Sequence, residues 1–121
     1  MAFLLDTNFL LIPGQFGVDI FKELEKFGKL EVYTIDLVIG ELERLAAKKG
    51  KDSKAAKLGL TLIKEKNVAI LQSEEKKTDR ELERLSKDYV VCTQDKEIIK
   101  KLRQIKGKTI SLRQKKYLVL V

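Results

Sequence analysis

The 121 residues, 44% of them hydrophobic and 36% charged, suffice for one domain with a real core and a heavily charged surface, and leave no room for a second core. No segment approaches the roughly 18 uninterrupted apolar residues of a membrane span, and no basic region leads into a cleavable apolar run at the N-terminus, so the expectation is a cytoplasmic protein with no membrane association. The absence of His and a lone cysteine, Cys92, exclude an internal disulfide, a Cys/His zinc set and an imidazole base, while a net charge of +7 directs attention to polyanions.

The chain opens with Phe3-Leu4-Leu5, an apolar run short enough for a buried strand, which stops abruptly on Asp6-Thr7-Asn8. Leu10 to Gly17 contains Pro13 and two glycines and is expected to be a loop. A helix is expected from about Val18 to Phe27, where Ile20, Phe21, Leu24 and Phe27 recur at helical spacing before Gly28. Leu30 to Ile35 reads as a second strand. Asp36 could cap the next helix, which carries Leu37, Val38, Leu42 and Leu45 as far as Lys48-Lys49-Gly50. A further helix starts at Asp52 or Ser53 and runs to about Lys66, ahead of a third strand over Val68 to Leu71. After the polar linker Gln72 to Lys77, Thr78-Asp79-Arg80-Glu81 fits a capping box opening a helix with Leu82 and Leu85. Tyr89 to Thr93 is a fourth strand, with Cys92 in the core; Asp95 to about Lys106 is a helix, and Lys108 to Leu112 a fifth strand. The apolar Tyr117 to Val121 could add a last strand, dock on a partner or fray. Strands alternating with helices predict βαβ units: a single α/β domain over 1–121, with a mostly parallel central sheet of about five strands and helices on both faces.

Four acids are candidates for chemistry. Asp6 sits where a strand ends, and in open α/β sheets ligands bind at that edge because the departing loops diverge there. Taken alone, Asp6-Thr7-Asn8 is more readily a polar turn or a helix cap. Glu41 falls between Leu37 and Leu45 in the apolar stripe of its helix, whereas Glu43 points away. A glutamate there is unfavourable unless something pairs with it, and a metal ion or a nearby Lys or Arg could be that partner. Asp79 lies in the first turn of its helix, where any carboxylate is stabilised by the exposed amides, but it shares a side with Leu82 and Ser86. Asp95 repeats the position of Asp6, after Val90-Val91-Cys92, with an N-cap as its plainer role. Jointly, two acids sit just past strand ends and two near the N-terminal halves of helices, and in a parallel sheet these places share one edge. Like charges gathered there need divalent cations, and all-oxygen ligands suit Mg²⁺ or Mn²⁺.

Phe-Leu-Leu-Asp-Thr-Asn at 3–8, the helix with Glu41-Leu42, the Asp79 helix and Val-Val-Cys-Thr-Gln-Asp at 90–95 resemble a PIN domain in order and spacing, over essentially the whole chain. Phe9 to Phe16 and Leu112 to Leu118 are further similar to an archaeal branch related to the PIN nucleases of small-subunit ribosomal RNA processing. The resemblance implies a Rossmann-like, three-layer α/β/α fold and a metal-dependent ribonuclease. Asp6, Glu41, Asp79 and Asp95 match its acidic quartet, both catalytic and metal-binding, and Asn8 and Thr93 match the polar residues that support it. The match of Asp79 is one that Glu74, Glu75 or Glu81 could replace, because the linker before it is polar. Thr7 has no role assigned.

With no His and no base beside a Ser or Cys, hydrolysis has to rely on water acidified by one or two cations, with Asp6 as the central ligand, and attack by water leaves a 5′-phosphate and a 3′-hydroxyl. The basic C-terminal segment, about 96–121, holds nine Lys or Arg against one acid, Glu97, whereas the preceding residues are nearly balanced. Clustered cations of this kind gain from releasing the counterions of nucleic acid, although a solvated charged surface is the plainer alternative. Arg113, Lys115 and Lys116 are the first candidates to hold the RNA backbone, with Lys100, Lys101 and Arg103 behind them, and such contacts position RNA without reading its sequence. The expected activity is an endoribonuclease acting on ribosomal RNA precursors, with ribosome-assembly proteins or a second copy of the chain as candidate partners. The alternatives are a non-catalytic RNA-binding module of a ribosome-assembly complex and the toxin of a toxin-antitoxin pair. A phosphoacceptor receiver domain is disfavoured because Asp6-Thr7-Asn8 lacks paired acids.

Overall fold

The apolar runs form six strands in one sheet: β1 (Ala2–Leu5), β2 (Glu31–Ile35), β3 (Ala69–Leu71), β4 (Val90–Cys92), β5 (Thr109–Arg113) and β6 (Tyr117–Leu120). In this computed structural model, which describes residues 1–121, their spatial order is β3-β2-β1-β4-β5-β6. The first five in chain order are parallel and β6 is antiparallel to β5. Seven helices complete the three-layer fold: α1 (Thr7–Leu10), α2 (Ile12–Phe16), α3 (Ile20–Leu24), α4 (Asp36–Ala47), α5 (Lys51–Glu65), α6 (Thr78–Leu85) and α7 (Lys96–Gln104). None is long and apolar enough to cross a membrane.

Phe3, Leu4 and Leu5 are fully buried, as a central parallel strand covered on both faces requires, and Cys92 is buried beside them in β4. The chain steps outward from β1 to β2 and β3, then returns to the other side of β1 as β4. That reversal opens a crevice at the C-terminal ends of β1 and β4, where Asp6 and Thr93 emerge.

Several local expectations are corrected. Leu10 to Gly17 is largely helical rather than a loop. Pro13 occupies the first turn of α2, where its missing N–H costs nothing, and Gly17 ends the helix at φ 67°. Gly14 is there for packing: a Cβ on it would stand 2.5 Å from the Ala55 Cα of α5. The helix expected from Val18 is shorter, capped by Asp19 and finishing in a 3₁₀ turn over Glu25–Phe27. Asp36 is the first residue of α4 rather than its cap. Its carboxylate instead accepts from the Ser73 amide at 2.9 Å, the Ser73 hydroxyl and Gln72 Nε2 at 3.1 Å. The capping box at Thr78 does not form, because both of its side chains are engaged elsewhere, as described below.

Of the three fates open to the tail it takes the first: beyond the five parallel strands it folds back through a tight turn, with Gln114 and Lys115 at φ 54° and 56°, and adds a sixth strand against β5. The Leu118 amide donates to Glu23 Oε1 at 3.1 Å, tying this last strand to α3. Gly14→Ala is expected to lower stability by about 1–3 kcal/mol, because the added methyl meets backbone that cannot yield without moving α5. In urea unfolding this appears as a lower midpoint at unchanged slope; an unchanged midpoint would refute the close packing of α2 on α5.

Candidate active site

Asp6 anchors the crevice. Its amide donates to the Cys92 carbonyl at 3.0 Å, continuing the β1–β4 ladder by one residue. Its Oδ1 accepts from the Thr7 amide at 2.7 Å, capping α1, and its Oδ2 accepts from the Thr93 hydroxyl at 2.7 Å. The side chain sits in a residue only 4% exposed. Burial raises its pKa to about 6, with the charges of Glu41 and Asp95 adding, against the lowering effect of the Thr93 and Thr7 hydrogen bonds.

Thr93 is fully buried and acts as a junction. Its hydroxyl accepts from the Asp95 amide at 3.1 Å, and its single proton goes to Asp6 in preference to Asn8 Oδ1, which is 3.2 Å away. Asn8 Oδ1 is held in turn by the Gln94 amide at 3.0 Å. Gln94 Oε1 then accepts from the Leu112 amide at 2.6 Å and Ser111 Oγ at 2.9 Å, fastening the seam to β5. Asp95 caps α7 through Oδ1, accepting from the Glu97 amide at 2.9 Å. Helix cap and candidate site residue are therefore the same side chain.

Glu41 is half-buried on α4 and accepts two hydroxyls, Thr78 Oγ1 on Oε1 at 2.6 Å and Thr7 Oγ1 on Oε2 at 3.1 Å. Asp79 is more open, with a side chain 41% exposed, and Lys101 Nζ lies 3.4 Å from its Oδ2. Burial is the largest single influence on Asp79 and pushes its pKa up, but Lys101 and the Arg80 amide together hold it below the usual carboxylate range.

All four acids line one open cleft of about 690 Å³, together with Asn8. Glu41 and Asp95 are both close enough to Asp6 for their charges to act on it, whereas Asp79 is drawn onto Lys101. As the side chains stand, no three carboxylates are grouped to hold a metal ion. The donor chemistry nevertheless fits a hard divalent cation: the ligands are all oxygens, and a carboxylate accepting two hydrogen bonds, as Asp6 does, keeps further lone pairs. Glu81 and Glu74, unlike Asp79, do not line this cleft. Glu81 is fully buried and pairs with Arg84, with Nε to Oε1 at 2.8 Å, and Arg84 also holds Glu74 at 2.7 Å. Glu75 lines a separate groove.

Of the basic residues read as RNA-binding, Arg113, Lys115 and Lys116 lie at the β5–β6 turn. Because β5 is parallel to β1, this is the sheet edge that carries the acids. Lys115 Nζ stands 5.6 Å over the Phe16 ring. Lys100 and Arg103 are exposed on α7, and Lys101 is turned to Asp79. The cleft also contains Thr7, Thr78 and the cations Arg44, Lys76 and Lys77, which sequence reading did not single out. Arg44, one helical turn beyond Glu41, was accessible from spacing. Lys76 and Lys77 were accessible only as residues leading into a helix at the binding edge.

The family model described as PIN like domain matches residues 3–115. This chain belongs to the PIN-like domain family. It is 31% identical over 120 residues to Ribonuclease VapC4 of Methanocaldococcus jannaschii, covering 93% of this chain and 90% of that one. Its fold is similar to the structure of the PIN domain endonuclease Utp24, with a TM-score of 0.80 at 23% identity over 98% of this chain and 90% of the other.

Asp6 generates a prediction with a definite sign. Its folded pKa, about 6, exceeds the ordinary 3.8, so stability present below the unfolded value is lost as pH rises through 6. Asp6→Asn is therefore expected to raise Tm at pH 7.5, by the equivalent of up to about 3 kcal/mol, and the gain should vanish toward pH 4. Thermal melts across that range in metal-free buffer check it; a variant less stable than wild type at pH 7.5 would show that burial of the charge is not costly.

Proposed function

We propose that this PIN-domain protein is a divalent-metal-dependent endoribonuclease working through Asp6, Glu41, Asp79 and Asp95, with Asn8 and Thr93 in support. The observation that carries the reading is Asp6 itself: a carboxylate at the switch point of a parallel sheet, pushed upward in pKa chiefly by its burial and further by the charges of Glu41 and Asp95. That arrangement costs stability and is relieved by a cation. When bound, Mg²⁺ or Mn²⁺ supplies an acidified water and neutralises charge developing on a phosphate.

The chain's own residues do the positioning. Thr93 and the Thr7 amide fix both oxygens of Asp6, and Thr7 and Thr78 hold the two oxygens of Glu41. Asp95 is set by the α7 amides. The cleft is open, so an RNA strand can lie across it and present an internal phosphodiester. Attack by water on the phosphorus, with the P–O3′ bond breaking and the 3′ oxygen leaving with a proton, would give a 5′-phosphate and a 3′-hydroxyl.

Ribosomal RNA precursor is the substrate class we favour, on the resemblance carried by Phe9 to Phe16 and Leu112 to Leu118. The similarity to Ribonuclease VapC4 supports a second reading, a toxin-type ribonuclease paired with an antitoxin. A precursor transcript cut at a discrete site favours the first. Growth arrest on expression, relieved by a co-expressed small partner, favours the second.

The purified protein is expected to cleave RNA only with Mn²⁺ or Mg²⁺. Asp6→Asn should lower kcat by at least about a hundredfold, and Thr93→Val, which removes the orienting hydroxyl, by about 10–100-fold. Mn²⁺ should also raise the Tm of the wild type and not that of Asp6→Asn. Cleavage that persists in EDTA, or survives Asp6→Asn, would sink the proposal.

A further inference from the structure

We infer that the segment from Gln72 to Lys77 is a fixed arm that binds RNA phosphate beside the acids through Lys76 and Lys77, with Glu81 as its positioning residue. The inference takes its ligand class from the nuclease reading above.

The segment leaves β3 at the C-terminal edge of the sheet and leads into α6. Loops at such edges are ordinarily mobile, but this one is fastened at two points ahead of its lysines. At its start, Asp36 accepts the Ser73 amide and hydroxyl and the Gln72 side-chain amide. Further along, Glu81 reaches back from α6 and accepts the Glu74 amide at 3.1 Å and the Glu75 amide at 3.3 Å. Glu81 is fully buried, and Arg84 meets both of its oxygens, at 2.8 and 3.0 Å. A buried carboxylate is unfavourable unless it is paired and hydrogen-bonded, and Glu81 meets both conditions, with Arg84 as its counter-charge and two backbone amides of the arm as donors.

Lys76 and Lys77 immediately follow those amides. Both are exposed and line the same cleft as the four acids, and neither forms an ion pair. Lys101, by contrast, is taken by Asp79, and Lys115 stands over Phe16. Cations presented on fixed backbone over an acidic cleft, yet not spent on its carboxylates, suit an anion entering from outside. Lysine supplies that anion with a point charge and reads no base.

The arm follows β3, whereas Arg113, Lys115 and Lys116 sit at the end of β5. These strands are four spacings apart, roughly 19 Å, with Asp6 between them. A strand of RNA crossing the edge touches cations on both sides of the acids.

The test is binding of a fluorescein-labelled single-stranded RNA in EDTA, where metal-dependent cleavage cannot occur. Lys76→Ala/Lys77→Ala is expected to weaken Kd about tenfold and to reduce the slope of log K against log salt by about 1–1.5. Glu81→Ala should weaken binding similarly, and adding it to the lysine variant should cost nothing more, because both act through the same contact. A merely structural Glu81 would lower Tm and leave Kd unchanged. Should Glu81→Ala fail to fold, Asp36→Asn, which loosens the other anchor, takes its place in the cycle. An unchanged Kd in Lys76→Ala/Lys77→Ala overturns the inference, as does wild-type protein that does not bind RNA. Cleavage with unchanged Kd defeats the arm alone; weakened binding with no cleavage under any divalent ion defeats the nuclease reading alone.

Discussion

The hydrogen bond from the Thr93 hydroxyl to Asp6 is the interaction on which the site depends. β1 and β4 are adjacent in space but far apart in sequence, and both run into the same crevice. An ionisable carboxylate at that seam is unfavourable, since burial alone pushes its pKa toward neutrality. Thr93 offsets part of the cost with one proton, and by accepting the Asp95 amide it sets the second strand-end acid at the same time. One buried hydroxyl thus orders the two acids that emerge from the switch point.

The remaining polar residues extend that logic away from the seam. Thr7 gives its amide to Asp6 and its hydroxyl to Glu41, so the first residues of α1 couple the strand-end acid to α4. Thr78 brings the start of α6 against the other oxygen of Glu41. Hydroxyls are suited to this because they satisfy a carboxylate without neutralising it, and so leave the negative field of the cleft intact.

The architecture was legible in the sequence because its signals are local. Apolar runs such as Phe3-Leu4-Leu5 and Val90-Val91-Cys92 are what a doubly covered parallel sheet needs, and Asp6 directly after the first and Asp95 three residues after the second mark the edge where they end. Partners separated by long stretches of chain were not legible. Thr78 and Glu81 have the spacing of a capping box, yet Thr78 donates to Glu41, 37 residues away, and Glu81 holds the linker. Asp36 was plausible as a cap, and its carboxylate is spent on Ser73 across the same distance. Pro13, Gly14 and Gly17 carry the composition of a loop but serve a helix, its start, its contact with Ala55 and its end. Composition records which conformations a residue permits; the packing that selects among them lies outside the local window.

The acids also differ in how firmly they are held, and the difference follows a gradient from seam to rim. Asp6 and Thr93 are buried and multiply bonded, so moving either disturbs the β1–β4 junction. Asp79 sits in the opposite regime: its side chain and that of Lys101 are 41% and 52% exposed, and they meet at 3.4 Å. An exposed pair of this kind contributes little to stability and is easily screened, so it opens at small cost. A cation or phosphate arriving in the cleft can compete for Asp79 or Lys101 without unsettling the fold, whereas it must accept Asp6 where it stands. Among the four acids of the cleft the fold therefore supplies a rigid centre and an adaptable rim, with the deepest burial falling on Asp6.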